Sequence, residues 1–335
     1  MGIDLPLIWY LIIGFGLMMY VFMDGFDLGI GILFPFIKNP EERDVMINSV
    51  APVWDGNETW LVLCGAGLLA AFPLAYSVIL TALYIPLILM LCGLIWRGVA
   101  FEFRFKASEK HKPFWDKAFI GGSYIATFFQ GVTLGAFING IKLNGLVYVG
   151  NALDWLTPFS LFTGLGLITT YTLLGCSWLI MKTEGSLQKK VTKLAKPTLI
   201  TLLTMIVLVS IITPLTHTNI FQRWFTFPNI FLLAPFPLLA LAAGGVMLRV
   251  LQKTPHLSPF ILTLFIIFMG YIGLAISIWP NIVPPSLTYR EIAAPIQSMG
   301  FALVGALLVI PCILFYTMWS YYVFRGKVKV GEGYH

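Results

Sequence analysis

The chain has 335 residues, of which 58% are hydrophobic and only 11% charged, with a formal net charge of +6. So little charge over that length excludes a soluble globular domain and describes a polytopic membrane protein. Nucleic-acid binding is set aside, because the way Lys and Arg are distributed already accounts for the positive balance.

Crossing ~30 Å of hydrocarbon takes about 20 apolar residues in a helix. Runs of that kind predict nine spans, over residues 7–35, 53–73, 76–97, 118–141, 157–181, 197–215, 229–251, 259–280 and 296–323. The runs are continuous and lack the ~10-residue alternation of membrane β-strands. The predicted architecture is therefore all-α, one integral membrane domain over 1–335. A first four-helix bundle falls in 1–142, a second in 157–280, and a ninth, peripheral helix in 296–323. With the N-terminus on the periplasmic side, 18 basic residues fall in the cytoplasm and only Lys142, Arg223 and Arg290 outside. That asymmetry predicts N-out, C-in. The basic residues gather in 97–117, 182–196 and the tail from Arg325, where they serve topology and lipid headgroups. The N-terminus lacks the basic region of a cleavable signal, so the first span is expected to stay.

The first span carries Asp24 and Asp27, three residues apart in apolar surroundings. Gly25 and Gly29 form a G-x-x-x-G face that permits close helix approach, and on a helical wheel the two acids lie mostly on another side. The second span opens with Trp54-Asp55-Gly56-Asn57-Glu58-Thr59-Trp60. From Thr59 to Phe72 the uncharged run is only 14 residues, too short to span, so the helix must start earlier and carry Asp55 and Glu58 with it. Pro52 suits its first turn. Carboxylates at low dielectric are costly and cannot both ionise cheaply, which suits a group that holds and releases protons. Equally, the pairs can be neutralised acids bonded across helices, or salt-bridged to Arg97. Arg97, Glu102 and Arg104 follow the third span. They read as a basic edge with a Glu102–Lys106 pair, or as Arg97 and Glu102 flanking a proton entry.

Later in the chain the signals weaken. Gly164, Gly166 and Gly175 repeat Gly14, Gly16 and Gly25 at an offset of 150 residues, a weak hint of two parallel halves. Cys64, Cys92, Cys176 and Cys312 fall within spans without paired spacing and read as small packing residues. His111, His217, His256 and His335 lie in loops, at span ends or at the terminus, so no redox cofactor is expected on this chain.

The segments Asp24-Gly25-Phe26-Asp27-Leu28-Gly29, Ile47-Asn48-Ser49 and Trp54 to Trp60 resemble subunit II of cytochrome bd-type quinol oxidases, which is also the second subunit of the cyanide-insensitive oxidases. The run Arg97-Gly98-Val99-Ala100-Phe101-Glu102-Phe103-Arg104 adds to the likeness. The resemblance covers the whole chain in length, span number and polarity. It implies a two-subunit core in the bacterial cytoplasmic (inner) membrane. Subunit I holds two b-type haems, one haem d and the quinol-oxidising loop. The complex oxidises quinol and reduces dioxygen to water with cytoplasmic protons. Subunit II is haem-free and can hold a quinone as a structural filler; a small single-span accessory subunit stays open as a further partner. Carried over by residue, Asp55 matches the acid of a cytoplasmic proton channel at the subunit interface, with Asp24, Asp27 and Glu58 in support. Trp60 matches a tryptophan at the mouth of a hydrophobic oxygen path. Glu58 and Glu102 depart from the pattern, since some members carry an amide and an aspartate there. Two rivals remain: a proton-coupled secondary transporter, and a purely structural partner of a redox subunit.

Overall fold

The structure is a computed structural model and describes residues 3–253, 256–329 and 331. His335 lies outside the described residues. Helices dominate, and each of the nine predicted runs lies on helix. The first, α1 (Leu5–Leu33), starts where the Asp4 side chain accepts from Leu7 N at 3.2 Å, with a proline in the first turn, and tightens into a 3₁₀ turn at Phe34–Phe36. A short helix not foreseen from the sequence follows: α2 (Pro40–Asn48), capped by Asn39 through a bond from Glu41 N at 2.9 Å. Then come α3 (Trp54–Ala71), α4 (Pro73–Lys106) and α5 (Lys112–Asn139). A two-stranded hairpin, Leu143–Asn144 with Val147–Tyr148, leads to α6 (Pro158–Lys182), which opens on a Thr157/Ser160 capping box. The rest is α7 (Gly185–Thr216), α8 (Thr218–Phe225), α9 (Asn229–Leu233), α10 (Pro235–Val250), α11 (Ser258–Ile278), a second small hairpin at Asn281–Val283 and Leu287–Thr288, and α12 (Ile296–Val323).

Seven helical stretches among the described residues are long and apolar enough to cross a membrane: Leu5–Phe36, α4, α6, α7, Asn229–Val250, α11 and α12. The remaining two predicted spans, α3 and α5, do not meet that measure. The polar opening of α3 and, inside α5, the small and polar residues Gly121, Gly122, Ser123 and Gln130 dilute their apolar content. Both are instead packed into the protein: α3 lies on α1, α4 and α12, and α5 on α4, α6 and α1. Elsewhere α6 packs on α7 and α11, α10 on α11, and α12 on α3 and α1.

Several boundaries shift for physical reasons. Pro52 stands before α3, whose N-cap is Val53. The predicted basic loop 97–117 shrinks to 107–111, because the apolar stripe Met90, Leu94, Phe101 carries α4 on past Arg97. The basic stretch 182–196 is mostly the opening of α7. Pro86 breaks the regularity of α4 at Leu83 (φ −118°, ψ 19°), as an interior proline does. Cys176 is buried, whereas Cys92 and Cys312 are exposed, so packing does not describe the latter two.

The G-x-x-x-G face of α1 finds its partner in α6. A Cβ on Gly175 would sit 2.6 Å from the Gly29 carbonyl carbon, and one on Gly25 2.9 Å from the Tyr171 ring. The two backbones thus touch, and only glycine allows it. Beside this seam Phe26 stacks on Trp178 with centroids 4.1 Å apart. With one side of α1 spent on α6, Asp24 and Asp27 turn toward α3 and α4.

Candidate functional site

Asp24 and Asp27 are sealed from solvent, at 0% and 2% exposure. Arg97, also 0% exposed, enters from α4 on the stripe Met90, Leu94, Arg97, Phe101. Gly122 of α5 lets the helices close here, since a Cβ on it would sit 2.7 Å from Arg97 N. The guanidinium donates from Nη2 to Asp24 Oδ1, stands 3.7 Å from Glu58 Oε2 and lies over the Trp54 ring at 5.5 Å. One cation therefore faces two carboxylates from two other helices, with Asp27 near enough to feel its charge. Arg97 is no basic edge of a loop; it is the centre of the cluster.

Asp27 takes a different partner. Asn57 donates from Nδ2 to Asp27 Oδ2 at 2.8 Å, and its Oδ1 accepts from the Tyr321 hydroxyl at 2.9 Å. This ties α1 to α3 and α12. On the other flank, Gln130 of α5 donates to the Tyr20 hydroxyl at 2.6 Å and accepts from the Tyr171 hydroxyl of α6 at 3.1 Å. Tyr20 stands one helical turn before Asp24 on α1. Among the described residues, Asp24 Oδ2, Asp27 Oδ1, Arg97 Nε and Arg97 Nη1 are buried without a hydrogen-bond partner. The sequence reading missed Asn57, Tyr20, Gln130, Tyr171 and Tyr321. Asn57 stood in the quoted block between the acids; the others come from distant segments and carry no local signal.

The other predicted residues separate. Glu58 is half-buried, its side chain 27% exposed. Asp55, one turn earlier in the first turn of α3, is exposed on the surface of this chain. Glu102 is exposed, and no ion pair joins it to Lys106 among the described residues. Trp60 is fully buried, edge-on to Phe15 at 5.7 Å. His111, His217 and His256 stand at helix ends and junctions.

A second ionic cluster, unforeseen from the sequence, gathers at the end that carries α2. Buried Asp116 accepts from Arg43 at 2.8 Å and Arg104 at 2.5 Å. Arg104 also reaches Asp44 at 2.7 Å, and Arg43 bonds the carbonyls of Ile37 at 2.7 Å and Phe34 at 3.2 Å. Glu42 of α2 binds Lys190 of α7 at 2.6 Å and Ser186 at 2.6 Å. Burial works to raise the Glu42 carboxyl, but these hydrogen bonds and the lysine charge outweigh it and hold it below the usual range.

A bundle of membrane helices that seals an arginine among carboxylates from neighbouring helices is the mark of a polytopic protein built around intramembrane charge. The chain matches the family described as "Cytochrome bd terminal oxidase subunit II" over residues 5–324, and it belongs to that family. It is 27% identical to "Cytochrome bd-I ubiquinol oxidase subunit 2" of Escherichia coli (strain K12), covering 97% of this chain and 95% of that one. It is 29% identical to "Cytochrome bd ubiquinol oxidase subunit 2" of Bacillus subtilis (strain 168), covering 97% of each. The fold matches a chain of the bd oxidase from Geobacillus thermodenitrificans with a TM-score of 0.74 at 17% identity, over 96% of this chain and 99% of that one. It is thus a multi-pass protein of the bacterial inner membrane.

Proposed function

We propose that this chain is the haem-free second subunit of a complex that oxidises quinol and reduces dioxygen to water, and that its acids carry cytoplasmic protons toward a haem-bearing subunit I. The observation that carries the reading is graded exposure along one cluster. Asp55 is at the surface, Glu58 half-buried, and Asp24 and Asp27 fully buried around Arg97. Asp55 and Glu58 are neighbours on one helix face, three residues apart. With three carboxylates to one guanidinium, charge balance at low dielectric favours a proton on the cluster. In this reading subunit I covers Asp55, so that the surface acid becomes an interfacial one. Trp60 belongs to the mouth of an apolar oxygen path. Glu102, exposed on α4 beyond Arg97, stands at the entry edge.

The same reading holds nine crossings, with α3 and α5 inside the membrane because their neighbours enclose them. The N-terminus is periplasmic and the C-terminus cytoplasmic. One four-helix bundle falls in 1–142, a second in 157–280, and the ninth helix stands at 296–323. The two b-type haems and haem d belong to subunit I. The histidines described here, at helix ends, do not offer an axial pair within the bundle and so do not fit a haem on this chain. A structural quinone and an accessory subunit are compatible with the apolar surfaces.

The test uses the assembled complex. Asp55→Asn and Asp27→Asn should each lower quinol-driven oxygen consumption about tenfold or more, with the haem absorption per complex unchanged. Unchanged turnover overturns the proton role, and loss of the haems reassigns the acids to assembly. The second reading, a purely structural cluster, draws on the Arg97–Asp24 ion pair itself. It predicts unchanged turnover but lower stability. A proton-coupled transporter is disfavoured, because the acids do not lie at an interrupted helix: the break in α4 at Leu83 is about four turns from Arg97.

A further inference from the structure

Asn57 makes three hydrogen bonds, and all three agree on how its amide is turned. Its Nδ2 donates to Asp27 Oδ2 at 2.8 Å and, at longer range, to the Met23 carbonyl at 3.4 Å. Its Oδ1 accepts from the Tyr321 hydroxyl at 2.9 Å. Were the amide reversed, its oxygen would face two other acceptors on α1, which is repulsive. Asn57 is 1% exposed and cannot trade these partners for solvent. Tyr321 is held in turn, edge-on to Phe26 at 6.4 Å and to Trp178 at 6.0 Å. The consequence falls on Asp27. An N–H aimed at Oδ2 needs a lone pair there whether the carboxyl is charged or neutral, so a proton on Asp27 belongs on Oδ1. Oδ1 is buried and has no hydrogen-bond partner among the described residues.

We propose that Asn57 is a positioning residue for Asp27, reserving Oδ1 as the atom that takes and releases the proton, and that Tyr321 acts through Asn57 by fixing its amide. The inference rests on the proton role proposed above. In the step, the O–H bond of Asp27 forms and breaks at Oδ1, and the carboxyl passes between its neutral and charged forms. The hydrogen bonds from Asn57 to Oδ2 and from Tyr321 to Asn57 persist throughout. The first of them also gives the charged form a donor. Arg97 directs its own hydrogen bond at Asp24 and stands next to Glu58. Among the described residues, Asn57 is therefore the donor that the Asp27 carboxyl has. An amide suits the place better than a second cation. It donates without adding charge, and it has no proton of its own to give up.

The experiment measures quinol-driven oxygen consumption by the assembled complex in light and heavy water, with haem absorption reporting assembly and a thermal melt reporting stability. Asn57→Leu removes the donor and should lower turnover about tenfold, the worth of a hydrogen bond to a charged group. Asn57→Asp keeps the size and the Tyr321 bond but turns the donor into an acceptor, so that two carboxyls share one proton. It should lower turnover further than Asn57→Leu. Tyr321→Phe should lower it less, about threefold. In all three the ratio of rates in light and heavy water should rise above the parent's, because the slowed step is a proton transfer. The double variant Asn57→Leu/Tyr321→Phe should match Asn57→Leu, since Tyr321 works through the amide. A purely structural tie predicts the opposite order: Asn57→Asp stays nearest the parent in melting and turnover, and the rate ratio does not move. That order, an unmoved ratio or additive losses in the double variant overturns the proposal. Should Asn57→Leu fail to assemble, Asn57→Asp against Tyr321→Phe decides it, with the first expected to lose more turnover. Asp27→Asn run in parallel separates the two levels. If it leaves turnover untouched, the proton role of the cluster falls. If it lowers turnover while the Asn57 variants match the parent, only the Asn57 assignment falls.

Discussion

Arg97 and Asp24 meet across the contact of α4 with α1 at a point where neither side chain reaches solvent. They stand 73 positions apart in the chain. The pair holds two helices in register and provides the positive charge that keeps a cluster of acids tolerable at low dielectric.

Removing the cation should therefore damage the fold more than removing an acid. Arg97→Met leaves Asp24, Asp27 and Glu58 with no compensating charge, and a broken buried pair costs about 3–5 kcal/mol. The thermal transition of the purified protein should fall well below that of the parent. Adding Asp24→Asn to Arg97→Met should recover a good part of the loss, because the uncompensated buried charge is then smaller. A double variant no better than Arg97→Met would deny the pair its structural weight.

The α1–α6 seam makes a steric prediction. Gly175→Ala places a methyl 2.6 Å from the Gly29 carbonyl carbon, closer than carbon atoms pack, so the helices must part. Overpacking of this kind costs about 1–3 kcal/mol. Gly270→Ala on α11 meets nothing within 4 Å and should leave stability unchanged or raise it by up to about 1 kcal/mol. Thermal melts of the two variants beside the parent make the comparison.

Asp116 takes hydrogen bonds from two arginines and links α2, α4 and α5. Asp116→Ala leaves Arg104 with Asp44 alone and Arg43 with two backbone carbonyls, with an expected loss of about 1.5–3 kcal/mol. Amide hydrogen exchange in α2 should accelerate before that of α1 or α6, since α2 hangs on this clasp and on the Glu42–Lys190 contact. Uniform acceleration across all helices would contradict a local clasp.

The Glu42 contact also carries a pH signature. Its carboxyl titrates lower in the folded protein than in the unfolded chain, where the ordinary value is about 4.3. The contact therefore stabilises fully above that value and is lost as pH falls through the lower folded one. Protection of α2 should weaken on acidification below about pH 4. In Glu42→Gln that acid-dependent part should be absent, with protection lower than the parent's at neutral pH and flat with pH.

How much was legible in advance differs by element. Seven spans could be placed because they announce themselves by local apolar content, a property each segment carries alone; the other two runs lie on α3 and α5, helices that fall short of that content. The acids could be singled out for the same reason, being charges in apolar stretches. Arg97 was open to two readings, a basic edge or a partner of the acids, and its shared face with Leu94 and Phe101 is the stripe that favours the second. The polar arms through Tyr321 and through Gln130 were out of reach. A tyrosine or glutamine in an apolar helix has no local mark of its partner, which arrives from another helix tens or hundreds of residues away.

What the chain determined by itself, then, was a membrane protein of many helices, its family likeness and the acids that break its apolar runs, because length, hydropathy and short motifs are written residue by residue. Tertiary packing alone decided that Asp24 pairs with Arg97, that Asp27 binds Asn57, and that Asp55 stays at the surface. Those outcomes depend on which helix faces meet, and that is set by the Gly29–Gly175 and Gly122–Arg97 approaches.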